Sequence, residues 1–75
     1  ILEELNLENN NLENLDGGIF IDLISLDNLN LAYNYLNSIR NRTFFHLKKL
    51  RTLNLDYNKI SQIEPDAFNG LIELK

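Results

Sequence analysis

The apolar and polar positions of this chain recur every 24 residues, with no insertion or deletion between copies. Leucine opens each unit, and further apolar columns, one asparagine column and one phenylalanine column return in register. The recurring positions are Leu2, Leu26, Leu50 and Leu74; Leu5, Leu29 and Leu53; Leu7, Leu31 and Leu55; Asn10, Asn34 and Asn58; Leu12, Leu36 and Ile60; Leu15, Ile39 and Ile63; Phe20, Phe44 and Phe68; and Leu23, Leu47 and Leu71. A fixed period of this length predicts a solenoid, in which each copy packs only on its neighbours.

Each unit contains one short segment in which apolar and polar residues alternate. The three segments are Leu5-Asn6-Leu7, Leu29-Asn30-Leu31 and Leu53-Asn54-Leu55. Alternation at period two predicts a short strand with one buried face. Because the spacing is identical, we expect the strands to form a parallel sheet, joined by return segments that are irregular or contain a short helical turn over Phe-x-x-Leu. Turns are predicted within these return segments at Gly17, Gly18, Pro65 and Asn69-Gly70.

Two columns have a predicted structural role. The asparagine column lies where each strand turns away, within an otherwise apolar shell, and an unpaired polar group there would cost about 1–3 kcal/mol. We therefore expect these amides to bind the backbone of their own and adjacent units. The phenylalanine column falls late in each unit and is expected to stack as an aromatic spine on the return side.

The complete unit reads L-x-x-L-x-L-x-x-N-x-L/I-x-x-L/I-x-x-x-x-F-x-x-L-x-x and resembles the typical 24-residue leucine-rich repeat over the whole chain. The resemblance implies an α/β solenoid, bent into an arc with a parallel β-sheet on the concave side and irregular or short helical segments on the convex side. It also implies a ladder formed by the asparagine column. Wider packing on the return side than between strands would produce the bend.

We interpret residues 1–75 as one leucine-rich-repeat segment, with units at 2–25, 26–49 and 50–73 and a fourth beginning at 74. Neither end shows a polar terminal cap, so we expect a piece of a longer array whose isolated stability is marginal. The sequence contains no cysteine and no apolar run of the roughly 18 residues needed to span a membrane. We therefore predict no direct membrane insertion by this segment.

Charge is distributed unevenly along the chain, which has a formal net charge of −4. The first unit is acidic without basic residues, and the second carries a basic cluster on its return side. The cluster consists of Arg40, Arg42, Lys48 and Lys49. No continuous basic stripe is present, and we expect no nucleic-acid partner. A small-anion or glycosaminoglycan site at the basic cluster stays a secondary hypothesis.

The three tyrosines all fall on the strand side, whereas the four phenylalanines fall on the return side. Tyr33 and Tyr57 occupy the same position in adjacent units and should be neighbours. Tyrosine is enriched at protein interfaces, although these rings could also simply cover the sheet edge. The predicted partner-binding residues are Tyr33, Tyr57, Asn30, Asn54, Asp56 and Arg51.

Catalysis finds little support in the sequence. His46 is the sole histidine and has no serine or cysteine nucleophile placed beside it by the repeat. We predict no catalytic residue, no metal site and no cofactor. Asn41-Arg42-Thr43 is an N-glycosylation acceptor on the return segment, and we predict modification of Asn41 if the protein is secreted.

The repeat class is similar to that of Toll-like receptor ectodomains and related extracellular leucine-rich-repeat proteins. This resemblance implies a protein-recognition module of an extracellular or membrane-tethered protein, with an innate-immune or adhesion role and a protein ligand or co-receptor as partner. Homodimerisation stays open. The alternatives are a structural or matrix adhesion protein and an intracellular, cytoplasmic leucine-rich-repeat scaffold.

Overall fold

A computed structural model describes residues 2–15, 18–71 and 73–74. It contains five short strands, β1 (Glu4–Asn6), β2 (Asn28–Asn30), β3 (Ser38–Ile39), β4 (Thr52–Asn54) and β5 (Gln62–Ile63). The turn predicted at Gly17 lies outside the described residues, as do Ile1 and Lys75 at the ends of the predicted segment.

The predicted parallel sheet is present, with strand order β1-β2-β4. Each residue pairs with its counterpart one unit later, as in Leu5 with Leu29 and Leu29 with Leu53. Backbone hydrogen bonds continue beyond the strands, since Leu31 N donates to Asn54 O at 2.8 Å and Tyr33 N donates to Asp56 O at 3.0 Å. The constant register therefore follows directly from the constant length of the repeat.

A second parallel sheet joins β3 to β5 and pairs Ile39 with Ile63. This sheet was not predicted, because a two-residue strand is too short to show alternation. The predicted helical turn over Phe-x-x-Leu is present only as single turns closed by one bond, such as Leu47 N to Phe44 O at 3.0 Å. Among the described residues, the return side is thus built from turns and short strands without a helix, which agrees with the first of the two expected forms, the irregular one.

The core lies between the strands and the return segments, and its leucines come mostly from the second unit. Leu26, Leu29, Leu31, Leu36, Leu47 and Leu50 are fully buried. The aromatic spine is confirmed: the Phe20 and Phe44 ring centroids are 5.9 Å apart, and those of Phe44 and Phe68 are also 5.9 Å apart. Paired strands are about 4.8 Å apart, so the stack is wider on the return side and bends with the strands on its inner side.

The predicted asparagine ladder is confirmed, and Asn34 is its fully formed rung. Its Nδ2 donates to the carbonyls of Leu7, Leu31 and Ala32, and its Oδ1 accepts from the amides of Asn10 and Leu12. The side chain is only 3% exposed. One amide therefore forms the hydrogen bonds that backbone groups of two consecutive units need at the point where each unit leaves the sheet.

The predicted turn at Asn69-Gly70 is also confirmed. Gly70 has a φ of 95°, in a region that side chains rarely adopt. A Cβ at Gly70 would lie 2.8 Å from the carbonyl oxygen of Phe45 and 2.9 Å from Lys48 Nζ. Glycine is therefore required here by the backbone conformation and by close packing on the preceding unit.

Replacing Asn34 with leucine should lower the free energy of unfolding by about 3 kcal/mol or more, because several buried backbone groups lose their partner. Asn10→Leu is the matched control, since the Asn10 side chain is exposed and donates to Glu8 O alone among its recorded side-chain bonds. That variant should lose about 1 kcal/mol. Urea unfolding followed by circular dichroism measures both changes, and equal losses would contradict the assigned role of Asn34.

Candidate functional site

The two tyrosines predicted to be neighbours form a stacked pair. The Tyr33 and Tyr57 ring centroids are 4.4 Å apart, and the ring planes are 7° from parallel. Tyr33 is 48% exposed and Tyr57 is 71% exposed. Each tyrosine lies three residues beyond the end of its strand, where the chain turns away from the sheet. The pair is thus displayed at one edge of the sheet.

Both tyrosines have a left-handed backbone conformation, with φ of 57° at Tyr33 and 59° at Tyr57. Asn9 occupies the same position in the first unit and has a φ of 62°. Left-handed geometry is tolerated by asparagine and glycine but costs bulkier residues about 1–2 kcal/mol. The repeat therefore sets a left-handed backbone at this position in each unit, although tyrosine disfavours that conformation.

The amides of the outward-facing strand column support this edge. Asn30 Oδ1 accepts from Ala32 N at 3.0 Å, and Asn54 Oδ1 accepts from Asp56 N at 2.9 Å. Asn30 Nδ2 also donates to Glu8 Oε1 at 3.2 Å, across to the first unit. Asn30 and Asn54 therefore hold the backbone and a carboxylate in place, in addition to their predicted role in contacting a partner.

These side chains together form what we call the strand-end surface: Glu8, Asn30, Asn54, Asp56, Tyr33 and Tyr57. Five of the six predicted binding residues belong to it, and Glu8 is an addition. Arg51 does not belong to it, because it precedes β4 and lies at the opposite end of that strand. There it lines an open depression of about 450 Å³ together with Glu3, Ser25, Asp27, Lys49 and Glu73. The predicted site is therefore divided between two ends of the sheet.

The strand-end surface has an anionic character. The pKa of Tyr33 is raised above its ordinary value of 10.0, first by lost solvation, then by the interaction with Tyr57, and then by the charges of Glu8 and Asp56. Since Tyr57 covers one face of the ring, the loss of solvation is a consequence of stacking. Both carboxylates act in the same direction, because a tyrosinate beside them would add a negative charge.

The return side holds the other residues singled out in the sequence. Lys48 Nζ lies 3.7 Å from the centroid of the Phe45 ring, and Arg42 lies 5.3 Å from it. His46 contacts the same ring edge-on. Two cations of the basic cluster therefore rest on an aromatic ring, where the cation–π attraction favours them. An anion site at this cluster stays a prediction.

Asn41 is exposed on the return side, as the predicted glycosylation would require. Its Oδ1 accepts from Asp66 N at 2.8 Å, and its own backbone N donates to Glu64 Oε1 at 2.7 Å. Thr43 is buried, and its hydroxyl donates to Arg40 O at 2.8 Å. The acceptor sequence is thus part of an ordered turn that contacts the next unit.

Within residues 2–15, 18–71 and 73–74, no group of three or more His, Cys, Asp or Glu side chains is arranged to hold a metal ion. A search of the same residues finds no helix that is both long and apolar enough to cross a membrane.

Tyr33 should titrate above pH 10.0, and Tyr57→Phe should lower its pKa while leaving it raised, because the phenylalanine ring still covers Tyr33. The folded state holds this proton more tightly than the unfolded state. The associated stability is therefore fully present below pH 10 and is lost as the pH rises through the raised value. Ring chemical shifts followed by NMR against pH test this, and a Tyr33 pKa at or below 10 would contradict the loss of solvation assigned to stacking.

Comparison with known proteins agrees with the geometry. The family profile described as "Leucine rich repeat" matches residues 1–60 and again residues 24–75. A search of curated proteins gives no match. The crystal structure of a TLR13-ssRNA13 complex superposes with a TM-score of 0.96 at 34% sequence identity, covering 97% of this chain and 10% of that chain. The chain thus spans about a tenth of that protein's length.

Together the two matched ranges cover residues 1–75, and the superposed structure has the same architecture as this chain. Proteins of this family and fold act in general by binding other molecules, without enzymatic chemistry of their own. This chain belongs to the leucine-rich repeat family.

Proposed function

We propose that this chain is a protein-recognition segment of an extracellular or membrane-tethered leucine-rich-repeat receptor, and that its strand-end surface contacts the partner. The stacked, exposed pair of Tyr33 and Tyr57 is the observation that carries the proposal. Tyrosine offers broad apolar contact and a hydroxyl at low entropic cost, and it is enriched where proteins bind one another.

The exposure and the backbone conformation of the pair both favour binding over a structural role. Tyr57 leaves 71% of its surface in water and so contributes little to the core. Asn9 shows that the repeat accepts asparagine at the same position with the same backbone conformation. Tyrosine is less favourable than asparagine in this left-handed conformation, and it adds no packing in the core. Backbone strain that is kept without such a gain is found at functional sites.

An innate-immune role in an extracellular setting is supported by similarity to the TLR13 structure and by the exposed acceptor at Asn41. We further propose that the segment performs no chemistry. A matrix or adhesion protein and an intracellular scaffold would use the same surface. The flanking sequence distinguishes these alternatives from a receptor, since a receptor requires a membrane anchor followed by a signalling domain.

Single-stranded RNA is a second candidate ligand, because the similar solved structure is a complex with ssRNA13. The charge of the strand-end surface opposes this candidate. Glu8 and Asp56 both act on Tyr33 with negative charge, and phosphates are bound mainly through lysine and arginine. We therefore rank a protein ligand first.

The proposal is tested by selecting binders from a random peptide library displayed on phage against the immobilised protein. We expect the selected peptides to lose affinity by at least about tenfold when Tyr33→Asn and Tyr57→Asn are combined. This pair of substitutions copies the residue of the first unit and should leave the fold intact, which urea unfolding checks.

Arg40→Gln combined with Lys49→Gln is the control pair, since both cations lie outside the strand-end surface, and these substitutions should leave peptide affinity unchanged. The proposal fails if no peptide is enriched, or if affinity depends on the Arg40 and Lys49 pair and is unaffected by the tyrosines.

Glycosylation of Asn41 is a separate proposal. A glycan is attached through Nδ2, so the bond from Asp66 N to Asn41 Oδ1 can persist. Protein from a secretory host should show a glycan mass on the Asn41 peptide, removed in Thr43→Val, which deletes the acceptor sequence but preserves the shape of the buried side chain. A predominantly unmodified Asn41 peptide would contradict the proposal.

A further inference from the structure

The composition of this chain directs oxidation to its tyrosines. Cysteine, methionine and tryptophan, which compete with tyrosine for oxidants, are all absent from the sequence. The three tyrosines are also open to solvent, with Tyr33 48% exposed, Tyr35 54% exposed and Tyr57 71% exposed. An oxidant in solution therefore reaches each of them, and no side chain of these three more reactive types intercepts it.

Stacking distinguishes Tyr33 and Tyr57 from Tyr35. Their ring centroids are 4.4 Å apart and their planes are 7° from parallel, so the two rings lie close to van der Waals contact. Their hydroxyl groups lie on the same side of the stack, since hydrogen bonding between the two side chains is one of the causes that raise the pKa of Tyr33. The ring carbons next to each hydroxyl, the Cε atoms, are therefore brought near one another.

The backbone keeps the two tyrosines together. Tyr33 N donates to the carbonyl oxygen of Asp56 at 3.0 Å, and Asp56 directly precedes Tyr57. The residue after Tyr57 is the ladder asparagine Asn58, whose Nδ2 donates to Leu31 O of the preceding unit at 3.0 Å. These bonds hold the two positions one strand spacing apart, and only side-chain rotation stays free. Reactive groups held in this way meet at a high effective concentration.

We propose that Tyr33 and Tyr57 are a site of oxidative crosslinking, at which a one-electron oxidant of the haem peroxidase class, supplied with hydrogen peroxide, joins the two rings in a dityrosine bond. The bond would connect consecutive units covalently in a chain that has no cysteine for a disulfide. This inference goes beyond the proposed function and does not depend on it, because it concerns the reactivity of the pair and requires no binding partner.

The reaction removes two hydrogen atoms from the pair. Each tyrosine loses one electron and its hydroxyl proton, which gives two phenoxyl radicals whose unpaired electron is shared between the oxygen and the Cε carbons. A C–C bond then forms between one Cε of Tyr33 and one Cε of Tyr57. The hydrogen on each bonded carbon moves to the phenolic oxygen, which restores both aromatic rings and both hydroxyls. One hydrogen peroxide molecule is reduced to two water molecules.

The rings have room to make this bond. A bond between two Cε atoms lies in the plane of each ring, so the rings must turn out of the parallel stack as it forms. Tyr57 has 71% of its surface in water and Tyr33 has 48%, and both lie at an edge of the sheet. The turn therefore needs rotation about side-chain bonds and no opening of the core.

The test treats the whole chain with a haem peroxidase and limiting hydrogen peroxide. We expect a monomer that is lighter by two hydrogen atoms and shows dityrosine fluorescence. Trypsin releases Tyr57 in the peptide 52–59 and both other tyrosines in the peptide 1–40. The two peptides should be recovered joined, with fragment ions placing the bond at Tyr33. The yield should not change when the protein is diluted about tenfold, because the reaction occurs within one chain.

Two substitutions locate the site. Tyr57→Phe keeps a ring in the stack but forms no phenoxyl radical, and it should lower the yield of crosslinked monomer by at least about tenfold. Tyr35→Phe is the matched control, because it removes an equally exposed tyrosine that lies outside the stacked pair. That variant should crosslink as the unchanged chain does. Circular dichroism checks that both variants keep the fold.

Several results would overturn the crosslinking site. These are crosslinks mainly between chains, bonds from Tyr35 to Tyr57 as frequent as those from Tyr33, or oxygen added to the rings without coupling. Recognition of a protein partner is tested separately, since the display experiment uses protein that has not been oxidised. Failure of either proposal therefore leaves the other standing.

Discussion

The amide of Asn34 is the interaction on which the rest of the structure depends. It donates to Leu7, Leu31 and Ala32 and accepts from Asn10 and Leu12. These groups belong to two units and lie where the chain leaves the sheet. A buried turn without this amide would have unpaired donors and acceptors, each at an appreciable cost. The ladder thus permits a sharp turn inside an apolar core, and that turn places the following residues at the sheet edge.

The strand-end surface is a consequence of this turn. The residue just before the ladder asparagine is left-handed in every unit, at Asn9, Tyr33 and Tyr57. Its side chain projects from the edge, and the shared register brings successive copies into contact. Where two tyrosines follow one another, a stacked pair results without further packing by the core. Residues that share this repeat position therefore form a column on the surface. Their side chains can differ from unit to unit while the backbone conformation stays the same.

Much of this arrangement could be predicted from the sequence, because inward and outward positions differ in residue type. The leucine, asparagine and phenylalanine columns predicted the parallel sheet, the ladder and the spine, and the alignment of Tyr33 with Tyr57 predicted their contact. The small sheet of β3 and β5 could not be predicted, since two residues show no periodicity. The left-handed backbone at Tyr33 was equally inaccessible, because residue type there points away from it.

Two details of the candidate site also required the structure. Arg51 shares the exposed side with the tyrosines in the pattern, but periodicity does not report distance along a strand, and the structure places it at the other end of β4. Glu8 was visible only as one of many acidic residues. Its role depends on a bond from Asn30, which belongs to the next unit. Contacts of this kind join residues 22 positions apart and leave no local signal in the sequence.

The direction of the inter-unit hydrogen bonds has a mechanical consequence. Strand pairing and the ladder bonds from Asn34 to Leu7 all connect consecutive units, so they lie along the axis of the stack. Tension applied between the two ends would break these bonds in sequence, first between one pair of consecutive units and then between the next. Each released unit of 24 residues would add about 80 Å of extended chain. An array built in this way extends in steps under force, and the column of stacked side chains at the sheet edge would lose one residue with each released unit.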